Sequence, residues 1–550
     1  MDLPVQLGLT DNILIALALI GLYSIILMPL QNSEKWKSRG ITVGGLQGLP
    51  LLIFLRTKKG LNLLDRLSRP RRFWRIVASA GVPMVVLSMA YFLLLVLLMT
   101  YVMIREPPAP SSYNAPRNIL LIPGINEYIP FVWGWIALFV TMLVHEFAHG
   151  ILSRVEGVRV KSMGIVAFMM APIAAFVEPD EEELFGSKDR PPLVSKGARI
   201  RILSAGVISN FIVAAIAMAL FFGPVIGSIN PVDRVMVVDV SEGSAADWAG
   251  FESGMVVLQV DGRDESNLSE LSTDLAGNEA SVRVLQDDRE KVLHLGGQPS
   301  RGIMVASVFN GSPAEEAGLP AKSVITEIDG TKTENLKAFR EQMNSTRPGQ
   351  VITIETGQGN EYLVNLTSKE SIGEDGAEDR AGFIGIGISG DAVYWGGAVL
   401  QEPSARRFLQ ALKEIPGMGI DGFHLLLSLP FTGITGFADK GFPGFSGWLT
   451  AVFEPTGWAE PLGSRFFWIA NLLLWIGWIN LYAGLFNCLP SGPLDGGYIF
   501  KDLLQIGFEK VVAPAEAERL SRTAAALFTW LVLTSLLITL IAPFTNWLPI

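Results

Sequence analysis

Residues 128–150 read YIPFVWGWIALFVTMLVHEFAHG. From Tyr128 to Val144 there is no charged side chain, and from Trp135 onward no Pro or Gly interrupts the run before His145-Glu146-Phe147-Ala148-His149. An uncharged run approaching roughly 20 residues is what a helix needs to cross a bilayer. On that helix, positions i and i+4 lie one turn apart on one face, so the imidazoles of His145 and His149 can aim at a single cation. Glu146 then sits beside the ion but off the ligand axis, where its carboxylate can hold a water. Ionisable groups within a membrane segment cost several kcal/mol and are functional by default. The bland alternative is a satisfied His pair at a helix end, and with only four His in the chain this spacing around a Glu is a poor accident.

The rest of the chain supports the membrane assignment. Of 550 residues, 49% are hydrophobic and 17% charged, with 13 Trp and 30 Phe, whereas soluble domains carry about a quarter charged residues. Further uncharged runs extend over residues 12–30, 76–104, 202–232, 466–494 and 523–550, giving about six candidate transmembrane helices in a polytopic α-helical membrane protein. The first lacks a basic n-region and an A-x-A cleavage pattern, so it is expected to be a retained helix rather than a removed signal. A net charge of -10 argues against a nucleic-acid partner, which needs a basic face. One Cys excludes an internal disulfide framework and a thiolate-rich zinc site.

Lys and Arg in short loops set the expected orientation. The segment between the first two runs carries eleven basic residues from Lys35 to Arg75 against only Glu34 and Asp65, the loop from Arg105 to Glu127 has only Arg105 and Arg117, and the loops 154–201 and 501–522 are basic again. This alternation fits six crossings with both termini outside. The long segment from about Asn230 to Arg465, with 34 acidic and 18 basic residues, is then extracytoplasmic.

That segment contains a repeat. Residues 237–262, VVDVSEGSAADWAGFESGMVVLQVDG, align without a gap to residues 305–330, VASVFNGSPAEEAGLPAKSVITEIDG, at an offset of 68. Each copy predicts a strand, a turn, a short Ala-rich helix ending at Gly, a second strand and an Asp-Gly turn. The pattern resembles PDZ domains of membrane and periplasmic proteases, which implies two inserted α+β domains offering a sheet edge to peptide or protein termini; a duplicated spacer with no ligand is the alternative. The expected division is 1–127 for two helices and a basic loop, 128–228 for the first half of a catalytic core, 229–300 and 301–390 for the PDZ-like domains, 391–465 for a linker or interfacial segment, and 466–550 for the second half of the core. Ser162–Val177 is apolar but short and fits a re-entrant hairpin or interfacial strand. Gln47–Leu55 is expected at the interface, and Gly422–Ala438 is not counted as a crossing.

A two-His zinc site needs another protein ligand and an open position for water. His294 and His424 belong to the outer segment. The third and fifth runs both point inward, and the fifth ends at Asn487-Cys488-Leu489-Pro490-Ser491-Gly492-Pro493-Leu494-Asp495-Gly496-Gly497. Asp495 therefore arrives at the depth of His145 and His149, in irregular backbone that a membrane tolerates only beside a protein cavity. A plain interfacial turn would carry the same Pro-Gly pattern. Cys488 is expected to be a small apolar-like residue rather than a ligand.

Together these residues resemble the site-2 protease family of intramembrane zinc metalloproteases: His145-Glu146-x-x-His149 in a membrane helix, N-x-L-P-x-x-x-L-D-G-G from Asn487 to Gly497, and between them the helix opening Ser204-Ala205-Gly206-Val207-Ile208-Ser209-Asn210-Phe211. The resemblance covers roughly Tyr128 to Lys501; Tyr498 departs from it, standing where many members have His. It implies one Zn2+ per chain held by His145, His149 and Asp495, Glu146 as catalytic acid/base, and Asn487 as a substrate-binding residue, unless Asn487 only satisfies a broken helix end. It further implies transmembrane protein substrates already cut on their outer side, a multi-pass location in the cell membrane with the site near the cytoplasmic face, and contact with membrane lipid. Gly206 and Asn210 are expected to allow close helix packing. The single Cys and compact helix count favour a prokaryotic membrane. The rivals are a membrane-anchored peptide-binding protein with a vestigial metal site, and an ion transporter using buried His and Asp.

Overall fold

The computed structural model describes residues 9–31, 33–46, 49–58, 60–111, 114–119, 121–168, 171–187, 190–264, 267–268, 279–286, 289–368, 381–432 and 441–545. The chain divides into two compact units, one formed by residues 1–223 with 471–550 and the other by residues 224–470.

The first unit is built on long helices. Among the described residues five are long and apolar enough to cross a membrane: α2 (Arg71–Arg105), α3 (Phe131–Glu156), α4 (Lys196–Leu220, extended by a further turn), α5 (Arg465–Cys488, which begins in the second unit) and α7 (Pro514–Thr545). The run at residues 12–30 lies in a sixth helix, α1 (Leu9–Gln31), whose shorter apolar stretch Ile20–Gln31 falls below that length. A shorter helix, α6 (Asp495–Phe508), follows α5. Leu87, Leu94 and Leu98 of α2 and Leu527, Trp530 and Leu537 of α7 are exposed, as a lipid-facing surface requires once the backbone is satisfied within each helix.

Local chemistry explains where these helices stop. Gly157, at φ 91°, closes α3 in the left-handed conformation, which costs Gly little. Ser195 opens α4 by accepting a hydrogen bond from the Ala198 N–H, the usual service of an N-cap hydroxyl.

The stretch expected as a re-entrant hairpin or interfacial strand and the described part of the one expected at the interface are both strands. β1 (Ile41–Leu46), β2 (Leu49–Thr57), β3 (Val160–Phe168) and β4 (Ala171–Pro179) form an antiparallel sheet in that order, with β4 at one edge. The segment at residues 162–177 is thus a hairpin, and residues 49–55 of the expected interfacial piece are its neighbouring strand. Gly150 of α3 packs close to Val177 of β4, so the sheet lies against the helix carrying the His pair. Leu152 and Val155 of α3, Met163 and Val177 of the sheet, and Ile202 and Ala205 of α4 share one buried cluster. The opposite face of α4, through Leu203 and Val207, packs with Val85 and Met89 of α2 and Ile499 of α6.

The second unit carries a twelve-stranded antiparallel sheet, two of whose strands are the two-residue pieces Arg263–Asp264 and Thr331–Lys332, and a small two-stranded sheet of Ile229–Pro231 with Phe453–Pro455. The ten longer strands of the large sheet are β5 (Val235–Val240), β6 (Val256–Val260), β7 (Glu279–Gln286), β8 (Arg289–Gly296), β9 (Ser300–Val308), β10 (Val324–Ile328), β11 (Val351–Thr356), β12 (Glu361–Asn365), β13 (Ile386–Trp395) and β14 (Ala398–Gln401). Their order is β8-β7-β6-β5-β14-β13-β9-β10-β11-β12. The repeat offset of 68 is reproduced residue for residue: short helices at Ala245–Trp248 and Pro313–Glu316, each capped by the Ser before it, and strands β6 and β10. Both copies close on an Asp-Gly turn with positive φ at Asp261 and Gly262, and at Asp329 and Gly330, the backbone that short hairpin turns demand.

The hairpin β13–β14 ties the copies together. β13 pairs with β9, and β14 pairs with β5. Val393, Trp395, Ala398 and Leu400 are buried in the core of the first copy, so the first copy is completed by residues beyond the second, and part of the segment assigned to a linker at 391–465 serves as its strand. The remainder includes a helix at Ala405–Glu414 that buries Phe408 among Phe442 and Phe453. The stretch at 422–438 is helical through Thr432; residues 433–438 lie outside the described residues.

Candidate active site

Three donor atoms converge in the first unit. His145 Nε2 and His149 Nε2 stand 3.1 Å apart, and Asp495 Oδ2 is 3.1 Å from the first and 3.2 Å from the second. Among the described residues these three form the only His, Cys, Asp or Glu cluster able to share one ion. A tetrahedral cation with bonds of about 2.0–2.1 Å holds its donors roughly 3.3 Å from one another, close to the observed triangle. The carboxylate oxygen Asp495 Oδ2 is buried without a hydrogen-bond partner among the described residues, a costly state that a cation would relieve. A third observation agrees: a Cβ placed on Gly206 would lie 2.6 Å from both His Nε2 atoms. The helix opposite the His pair thus leaves space where the donors point. The residues present fit a bound metal ion.

The donors come from different parts of the chain. His145 and His149 occupy successive turns of α3, and their rings meet edge to face with centroids 4.7 Å apart. Asp495 opens α6 after the loop at 489–494, anchored in part by Gly492 N–H donating to Thr529 Oγ1 at 3.0 Å. A Cβ on Gly496 would collide with the carbonyls of Cys488 and Leu489, and one on Gly497 with Ser491. Two glycines after Asp495 are therefore what lets the loop fold back onto the first turn of α6.

Each His has a partner on α4 behind its ring. The Ile202 carbonyl lies 2.8 Å from His149 Nδ1; a carbonyl only accepts, so Nδ1 carries the proton and Nε2 keeps its lone pair toward the cluster. The fully buried Asn210 side chain sets Nδ2 3.2 Å from His145 Nδ1, and its Oδ1 has no hydrogen-bond partner among the described residues. Amide oxygen and nitrogen exchange positions by a half-turn, and in the turned orientation Oδ1 accepts from Nδ1–H and leaves Nε2 of His145 likewise free. Metal-ligating His are oriented in this way by outer partners.

Glu146 is beside the triangle and not part of it. Its Oε2 accepts a hydrogen bond from the Val177 N–H at 3.0 Å. Val177 lies on edge strand β4, paired across to Met163, so the Glu146 carboxylate touches an N–H that faces away from the sheet. Asn487 is half-buried in the last turn of α5; among the described residues its side chain makes no hydrogen bond to the cluster. Cys488 is buried, and Tyr498 packs on Phe185 with centroids 5.2 Å apart. His294 and His424 lie on β8 and on the helix Ile420–Thr432 of the second unit.

A buried ion pair joins the elements that carry these groups. Arg199 of α4 donates to both carboxylate oxygens of Asp502 of α6 at 2.6 and 2.7 Å, with side-chain exposures of 7% and 1%. It links the helix behind the His rings to the helix that starts with Asp495. Gly206 and Asn210, expected to allow close helix packing near the site, lie beside the His pair, Asn210 with a polar contact to His145 as well. The pointer in the sequence was their spacing, since Gly206 and Asn210 share a helix face, and a lone Asn in an uncharged run seldom lacks a polar partner.

The model of peptidase family M50 matches residues 133–533, from the start of α3 into α7. Among similar proteins, an uncharacterized protein of Methanocaldococcus jannaschii is 26% identical over 307 residues, 55% of this chain and 75% of the relative. Protease RseP of Yersinia pestis is 24% identical over 438 residues, 70% of this chain and 91% of the relative. A putative zinc metalloprotease of Neisseria meningitidis is 24% identical over 412 residues, 66% of this chain and 88% of the relative.

Proposed function

From the premise that this chain belongs to peptidase family M50, as a site-2-type intramembrane metalloprotease, we propose that it is a zinc endopeptidase that cleaves peptide bonds within or near transmembrane segments of membrane proteins. His145, His149 and Asp495 would hold one zinc ion per chain, and the observation that carries this reading is the triangle of their donor atoms at 3.1–3.2 Å. Zinc, when bound, supplies a Lewis acid and makes water a stronger acid at neutral pH. The chain's own residues do the rest. Ile202 and Asn210 hold the two rings in the tautomer that leaves Nε2 unprotonated. Glu146 takes the proton of the attacking water on a carboxylate oxygen and delivers it to the leaving amine nitrogen. Asn487 is assigned to the substrate backbone.

A helical substrate must unwind locally, because its carbonyls are spent in its own hydrogen bonds. Edge strand β4 offers the unwound stretch a partner, and strand addition satisfies backbone groups that a membrane leaves bare. The N–H bonded to Glu146 lies on this edge, which supports cleavage beside the strand. The repeat copies act as PDZ-like domains outside the cytoplasm, reading the end of a substrate already trimmed on that side. The basic loops and the acidic 230–465 segment support that orientation. Deleting residues 300–390 and comparing full-length with trimmed substrates tests this role; an unchanged preference would end it.

The deciding experiment compares metal content and cleavage of a transmembrane-segment fusion between the parent and Glu146→Gln, both purified in detergent. The expected result is equal zinc in both and a loss of cleavage of about 10²–10⁴-fold in the variant, the range for a general base. Equal cleavage in the variant, or no zinc in the parent, overturns the proposal.

A further inference from the structure

The two repeat copies are closed in the same way. In the first, the N–H groups of Ser241 and Ala246 donate to the carbonyls of Gly397 and Gly396 at 2.9 and 2.8 Å; in the second, those of Phe309 and Ala314 donate to Gly385 and Ile384 at 3.0 Å each. The strands that follow keep step. Ala398, Val399 and Leu400 of β14 lie opposite Val240, Asp239 and Val237 of β5, and Ile386, Gly387 and Ile388 of β13 lie opposite Val308, Ser307 and Val305 of β9. Leu268 and Leu336 likewise donate their N–H to the carboxylates of Glu402 and Asp391, both at 2.7 Å. Thus β14 and the first half of β13 are the same part of the two copies.

Their outer edges differ. That of β14 is paired antiparallel with Ala392–Trp395, Val393 opposite Leu400 and Trp395 opposite Ala398. The Val393 and Trp395 side chains are buried in the first copy's core, in the same cluster as Leu268. The corresponding edge of β13, from Ile386 to Ile388, pairs with no strand among the described residues. The chain leading into it turns away to Thr367, which exchanges two backbone hydrogen bonds with Phe383. Exposure follows the pairing: Ala398 and Leu400 are 0% and 1% exposed, whereas Ile386 and Ile388 are half-buried. Both pack against the second copy's core, as does Leu336 at the start of the helix Leu336–Asn344. The second copy therefore presents a strand edge with an apolar floor, and the first shows what such an edge accepts: backbone pairing plus two apolar side chains two residues apart, the period of one strand face.

We propose that the first copy is permanently loaded by the chain's own strand Ala392–Trp395, and that the second alone takes substrate, as an extended peptide stretch that adds antiparallel to β13 with apolar side chains opposite Ile386 and Ile388. The substrate-reading role proposed above for both copies, on which this assignment rests, thereby falls to one. The first copy is a mount, because freeing its edge would mean withdrawing Val393 and Trp395 from its core.

The test is titration calorimetry of the full-length protein in detergent with a short, otherwise polar peptide carrying Val at its last and third-last positions, against the same peptide with Asp at both. The expected result is one Val peptide bound per chain and the Asp peptide weaker by about tenfold or more, the effect of burying a single Val side chain. Leu336→Asp puts a carboxylate on the apolar wall at a helix start, where acidic residues are favoured, and should weaken the Val peptide by about tenfold or more. Ile388→Thr, which keeps a β-branched residue in the strand, replaces it if thermal unfolding shows that Leu336→Asp does not fold. Two peptides bound per chain, no binding of the Val peptide, equal affinity for the two peptides, or undiminished affinity in the groove variant would each overturn the proposal. Binding is read without cleavage or zinc, so any of these results leaves the protease reading standing. One Val peptide bound at this edge, with substrate preference unchanged on deleting residues 300–390, would instead refute substrate as the occupant and end the reading role.

Discussion

Gly206→Ala sets two effects of opposite sign against each other. Gly in a helix interior is less favourable than Ala by about 1 kcal/mol, so backbone propensity alone predicts a more stable α4. The added methyl carbon would stand 2.6 Å from His145 Nε2 and His149 Nε2, whereas non-bonded contacts settle near 3.5 Å or more, so rings or helix must yield by about 0.9 Å. Metal–ligand bonds tolerate displacements of about 0.2 Å. The methyl also stands against both His donors, and sterics therefore win at the site. Metal affinity should fall by at least about 100-fold, the upper range for loss of an orienting partner, while the thermal unfolding midpoint of the metal-free protein stays at or above that of the metal-free parent. The assay is zinc per chain after dialysis at fixed free zinc, with unfolding in detergent followed in parallel. Gly197→Ala, in the same helix with nothing within 4 Å of the added atom, is the control and should retain its metal. If Gly206→Ala keeps the parental zinc content and cleaves as the parent does, the ion is not held at this triangle.

The remaining expectations concern groups that touch the donors or the sheet edge. Asn210→Ala removes the acceptor that fixes the His145 tautomer, and zinc affinity should drop by about 10–100-fold with partial recovery in Asn210→Asp; unchanged affinity in competition with a chelator would leave Asn210 a packing residue. Ala175→Pro deletes a backbone N–H two residues from Val177 on the same free edge of β4, a place where Pro is tolerated in a sheet. Cleavage should fall while zinc content is kept, and undiminished cleavage would count against strand addition.

The long helices were legible because their cause is local: an uncharged run of bilayer length forms a helix wherever it lies. Strands β3 and β4 were legible as a re-entrant hairpin or interfacial strand and β2 as an interfacial piece, but not as one sheet, since the pairing that joins residues 49–57 to 160–179 spans about a hundred residues of chain. The nested second unit is a sharper case. Nothing in Ala398–Gln401 marks it as a strand of the first copy; it belongs there because β13 leads from the second copy's β9 back to β5. An ungapped repeat reveals what is duplicated and is silent on which later segment closes the first duplicate.

The site divides along the same line. His145, Glu146 and His149 announce themselves because their relation is the periodicity of one helix. Asp495 required a topological argument, that two inward-running helices end at one depth, and its two glycines acquire a reason only when the carbonyls of Cys488 and Leu489 are seen pressing on the next turn. Asn210, Ile202 and Val177 stand one step further back. Ile202 and Val177 act through a backbone carbonyl and a backbone N–H, which every residue but Pro possesses, so no choice of side chain could have flagged them. Asn210 differs, being a polar side chain fully buried in an apolar helix, and the cost of leaving it unpaired there was the available clue. Treating each such residue in a membrane segment as a question about its hydrogen-bond partner, rather than as a packing device, would have led from Gly206 and Asn210 to the His pair across from them.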